Sequence, residues 1–140
     1  MTQKRLPPDD PREGLNRARS NLACAESHVA GAYLEDYCFD AQQAAEKAIK
    51  AIFVGRGERF PFIHDLEELL ALLEQNGLKI PKYVRVADEL SPFAAALRYP
   101  GEEKPVTVRQ YRRALRIATA VLRWAERQVD ASGATSRGTK

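Results

Sequence analysis

Three features of the chain predict an all-α fold, an up-and-down bundle of four long helices plus a short extra helix. Apolar residues recur every three to four positions over several long segments. No segment alternates apolar and polar residues between turn signals, as a half-buried strand would. The breaks between the periodic segments carry Gly, Pro or Asn-Gly, the residues that punctuate helices. A chain of 140 residues is the size of one ordinary domain. Its 44% hydrophobic and 29% charged residues are typical of a soluble globular protein.

The elements follow in order. Residues 1–9 are polar and proline-rich and read as a flexible arm without the apolar stretch of a signal peptide. Asp10 before Pro11 is a helix start: a side chain that caps, then a residue whose missing N–H costs nothing in the first turn. Leu15, Ala18, Leu22, Ala25 and Val29 then share one helical face, and Gly31 is the stop. The second helix is expected from Glu35 to Val54. Ala41, Ala44, Ala45, Ala48 and Ile52 line its inner face, so a neighbouring helix can approach closely and this is the central helix. Gly55 and Gly57 end it.

The third helix starts at His64 or Asp65, buries Leu66, Leu69, Leu70 and Leu73, and stops at Asn76-Gly77. A shorter segment opens near Pro81, bends at Ser91-Pro92 and closes at Pro100. In the last helix Thr107 and Gln110 have capping-box spacing. Tyr111, Leu115, Ala118, Leu122, Ala125 and Val129 form its inner face, with Arg109, Arg112, Arg113, Arg116, Arg123 and Arg127 opposite. The helix is expected to end near Val129, so the domain covers 10–130 and residues 131–140 read as a disordered tail.

Composition excludes several functions. The longest apolar runs are a few residues, so nothing spans a membrane. Net charge is only +3, too mild to point to nucleic acid by itself. Cys24 and Cys38 lack metal-ligand spacing and read as small core residues, two free thiols in a reducing cytoplasm. Neither a metal nor a cofactor is expected, and His28 has no nearby ligand set.

At "AQQAAEKAIKAIFVGRG", then "HDLEELL", then "RYP" before the last helix, the chain resembles the HEPN domain family. The resemblance runs from about Leu15 to Val129. Its specific part is Gln42, Gln43, Ala45, Glu46, Lys47 and Lys50, followed by His64-Asp65-Leu66. The resemblance implies a helical bundle, a homodimer and often a neighbouring minimal nucleotidyltransferase, the two forming a toxin–antitoxin pair. Many members are metal-independent ribonucleases with an arginine followed, four to six residues later, by a histidine. Others lack that signature and bind nucleotides or act as partner modules.

Arg59 and His64 have the bare spacing of that signature, and an imidazole with a guanidinium suits RNA cleavage assisted by the 2′-OH. However, the resemblance places the signature at the start of the last long helix. That place holds Arg98-Tyr99-Pro100 here, with no histidine downstream. His64 and Asp65 are therefore read first as the cap of the third helix. Arg98 and Tyr99 either line a phosphate- and base-binding cleft or serve structure, Tyr99 in the core and Arg98 paired with Glu102 or Glu103.

Gln42, Glu46 and Lys47 are polar groups on a helix expected to be largely buried, so they must find partners, across a dimer seam or lining a pocket. The arginine face either follows a phosphate backbone, meets an acidic partner or is simply solvated. The leading expectation is a nucleotide- or RNA-binding module working with a nucleotidyltransferase partner. The alternatives are an endoribonuclease toxin and a purely structural dimerisation domain.

Overall fold

The computed structural model describes residues 4–94 and 105–138, with the side chains of the last helix as far as residue 133. The described residues form helices and loops without a strand, as the apolar period requires. The helices are α1 (Pro11–Ala25), α2 (Leu34–Gly55), α3 (Leu66–Gln75), α4 (Lys82–Arg85) and α5 (Val108–Gly138), with a 3-10 segment, Val86–Phe93, after α4.

α2 is the centre of the bundle, packed against α1, α5, α3 and the 3-10 segment. Its alanines make this possible: Ala41, Ala44, Ala45 and Ala48 are fully buried. On α1, a Cβ at Gly14 would sit 3.0 Å from the Cβ of Ala51, so the two helices touch through their smallest residues. Ile49, Ile52 and Phe53 of α2 meet Leu66, Leu69 and Leu73 of α3 and Val121, Trp124 and Ala125 of α5 in one continuous core.

The local signals act where the sequence places them. Asp10 accepts from the Arg12 N–H at 2.9 Å, and Asp65 accepts from the Glu68 N–H at 3.2 Å. At α5 the capping box closes in both directions: the Gln110 N–H donates to Thr107 Oγ1 at 3.1 Å and the Thr107 N–H to Gln110 Oε1 at 2.9 Å. α2 ends with Gly57 at φ 71°. The Gly57 and Glu58 N–H groups then return to the carbonyls of Val54 and Phe53, an arrangement that needs a left-handed residue at this position.

Several expectations change. α1 stops at Ala25 rather than Val29, whose side chain is 60% exposed. The Tyr111 hydroxyl, reaching from α5, takes the Ala25 carbonyl at 2.6 Å, and His28 turns the chain at φ 52°. His28 is not incidental to this corner, since its ring lies edge-on to those of Tyr37 and Tyr111 at 6.2 and 6.1 Å. Cys38 is buried but Cys24 is exposed, and neither is in a disulfide.

The N-terminal arm is docked at Leu6, whose N–H donates to Glu13 Oε1 at 2.9 Å. At the other end the α5 backbone continues to Gly138, past the expected end near Val129, because no proline follows to stop a helix that is already propagating. No helix of the described residues is long and apolar enough to cross a membrane.

Candidate functional site

Two groups of polar side chains stand out, one inside the bundle and one on its outer surface. The inner group climbs α2 in steps of four residues, which places Gln42, Glu46 and Lys50 on one face. Gln42 is fully buried and Glu46 is 5% exposed. Gln42 Nε2 donates to Glu46 Oε1 at 3.1 Å, and Lys50 Nζ donates to Glu46 Oε2 at 3.0 Å. Gln43 Nε2 adds a bond to Gln42 Oε1 at 2.7 Å. The remaining partner comes from the loop before α3, where His64 Nδ1 lies 2.8 Å from Glu46 Oε2.

An ionised carboxylate only accepts, so Nδ1 carries the hydrogen in that bond. The His64 side chain is otherwise 75% exposed, which leaves Nε2 toward solvent. Burial raises the Glu46 carboxyl, but the bonds from His64, Gln42 and Lys50 together outweigh it and hold the group below the ordinary glutamate value. Every buried side-chain polar atom among the described residues has a partner.

Gln42 and Glu46 thus need no second chain: their partners lie within the same molecule. Lys47 points elsewhere on α2, bonding Asn21 Oδ1 of α1 at 2.6 Å, and Asn21 in turn donates to Asp40 at 3.2 Å. His64 does not cap α3. Asp65 alone does so, while His64 pins the loop to α2. Arg59 is exposed, and no hydrogen bond or ion pair joins it to His64. Arg98 and Tyr99 lie outside the described residues.

The outer group is the arginine face of α5, and the fold divides it. Arg113 forks onto Glu89 of the 3-10 segment with two bonds of 2.6 Å. Arg127 donates to the Tyr83 hydroxyl of α4 at 2.8 Å. These two fasten neighbouring elements to α5. Arg109, Arg112, Arg116 and Arg123 are exposed and have no partner among the described residues. The first of them is separated from the last by fourteen residues, a row of about 21 Å at 1.5 Å per residue.

No acidic residue interrupts that row, since the first on α5 is Glu126, which pairs with Arg19 of α1. Beneath Arg116 and Arg123 the floor is made of Leu115, Thr119 and Ala120, around a shallow depression of about 300 Å³. Sequence reasoning missed Glu13, which with Gln42 and Glu46 makes up the buried charged or polar residues among those described. Its signal was present, three residues after the cap Asp10, but it reaches back to Leu6 rather than to the cap.

The HEPN domain profile matches residues 12–128. The chain belongs to the HEPN family. TT1696 from Thermus thermophilus is 30% identical, with a TM-score of 0.74 over 86% of this chain and 98% of its own. ST0689, an archaeal HEPN homologue, is 26% identical, with a TM-score of 0.70 over 91% of this chain and 99% of its own. Comparison with curated proteins finds no match. The matched region takes in both polar groups, from α2 to Arg127, so each belongs to the HEPN bundle itself.

Proposed function

We propose that this HEPN protein is a binding module for RNA or nucleotides, and that it works as a homodimer beside a minimal nucleotidyltransferase partner in a toxin–antitoxin-like pair. The observation that carries the binding reading is the row Arg109, Arg112, Arg116 and Arg123, four exposed guanidinium groups without carboxylate partners among the described residues. Unpaired guanidinium groups in line release counterions when they meet a chain of phosphates, and that release drives association. The same row disfavours α5 as the seam between two copies, because like charges would face each other.

The experiment is a salt titration of single-stranded RNA binding by wild type and by the variant carrying Arg112→Glu, Arg116→Glu and Arg123→Glu. Losing three phosphate contacts lowers the log–log slope by about 2, at roughly 0.7 per phosphate for single strands. If wild type binds neither RNA nor nucleotides at low salt, the arginines are a solvated face and a structural dimerisation domain is the better reading. No histidine follows Arg98-Tyr99-Pro100 at the start of the last helix, which supports binding rather than cleavage, so RNA is expected to survive incubation with the protein in EDTA. Cleavage lost in His64→Ala, with the fold intact, would favour the endoribonuclease.

A further inference from the structure

The loop between α2 and α3 has no role in the reading above, and it combines features that ordinary connections lack. It is fastened at several points. Glu58 pairs with Arg56 at 2.9 Å and accepts from Asn76 Nδ2 at 3.0 Å, and Arg56 donates to the Asn76 carbonyl at 2.6 Å. His64 is held on the buried Glu46, and Ile63 packs against the core. Phe60 lies under the Lys50 ammonium, 5.4 Å from the ring centroid, and Pro61 restrains the backbone after it.

On this fixed support Phe62 is 96% exposed and Phe60 38% exposed. A scattered surface apolar residue needs no explanation. A phenyl ring on a tethered loop, two residues from a second ring, is a different case. Arg59 precedes Phe60 in the loop, exposed and without a partner among the described residues.

We propose that this loop is a base-stacking platform for single-stranded RNA, with Phe62 as the ring on which a nucleobase stacks. The proposal rests on the RNA-binding reading of α5 and adds to it the contact that takes bases rather than phosphates. Charge decides between the two. Directly after His64, Asp65 and Glu67 join Asp88 in an exposed acidic group, which repels a phosphate from that end of the loop. Bases carry no charge, and every base offers a π-face to an aromatic ring. The tethers hold the ring in position before the strand arrives, so binding does not have to order the loop.

The test uses the full chain with three strands of equal length: oligoadenylate, an abasic ribose-phosphate strand and duplex RNA. Phe62→Ala is expected to weaken oligoadenylate binding about 5- to 100-fold, the effect of losing one stacked base. It should leave the salt slope unchanged and leave abasic and duplex binding as in wild type. Phe62→Trp should retain oligoadenylate binding, with the emission of the exposed indole quenched on titration. Wild type and Phe62→Ala binding oligoadenylate equally would overturn the platform and leave the arginine row standing. Equal weakening of the abasic strand would overturn it too, because the ring would then be acting through the backbone. Loss of self-association in Phe62→Ala, with oligoadenylate binding unchanged, would make the loop an interface between copies instead. Failure of wild type to bind any strand would remove both readings together.

Discussion

The inner face of α2 and the outer face of α5 both carry charged side chains at helical spacing, and the fold uses them oppositely. On α2 a carboxylate, an ammonium, an imidazole and two amides converge, and each group has a partner. On α5 Arg109, Arg112, Arg116 and Arg123 remain exposed and unpartnered among the described residues. A buried charge left unpaired is so costly that its partners become part of the folding requirement. An exposed arginine pays little for being alone, because water and salt solvate it. The inner group therefore serves the fold, and the outer one is available to a ligand.

Stability measurements can break this contrast. The largest effect is expected from Glu46→Ala, which takes the carboxylate acceptor from the Gln42 Nε2 and from the Lys50 ammonium, on side chains that are fully buried and 16% exposed. Chemical denaturation should show a loss of about 3 kcal/mol. A loss below about 1 kcal/mol would mean that water replaces the missing carboxylate and that the group is not a folding requirement.

The next effect is a pH dependence carried by the same residue. The Glu46 carboxyl is depressed in the folded state, so its contribution is complete above the ordinary value of 4.5 and disappears as pH falls through the lower folded value. Melting curves of wild type and Glu46→Gln should therefore differ at neutral pH and converge in acid below 4.5. A difference that grows in acid would reverse the sign and refute the assignment.

Tyr111→Phe removes the hydroxyl that takes the Ala25 carbonyl. It should cost about 1 kcal/mol, the value of one buried hydrogen bond. That carbonyl lies at the end of a helix, so fraying of α1 by hydrogen exchange is the sharper readout. The smallest effect on stability belongs to the outer face, where reversing Arg112, Arg116 and Arg123 should change unfolding by no more than about 0.5 kcal/mol each. The same variant is expected to show the largest change in salt-dependent RNA binding. A large destabilisation would place those arginines in the architecture after all.

The helix boundaries set by local chemistry were legible in the residues themselves. Asp10, Asp65, Thr107 with Gln110, and Gly57 act within a few positions of where they stand, through bonds that one turn of helix can close. The alanines of α2 likewise announced a central helix, since only small side chains let α1 approach so closely. The end of α1 was not legible, for the converse reason. It depends on a hydroxyl from a residue 86 positions away, and apolar period alone extends the helix to Val29.

The sequence by itself determined an all-α chain, the order of its helices, the buried character of Gln42 and Glu46, and the arginine face of α5. Each of these is written in spacing or in side-chain type. Only the tertiary structure decided that His64 belongs to Glu46 rather than to Arg59 or to the cap of α3. Only it decided that Arg113 and Arg127 fasten neighbouring elements while four other arginines stay exposed. The physical reason is common to all of these cases. A side chain's polarity states that it needs a partner or water, but which one it receives depends on distant segments brought together by burying the apolar core.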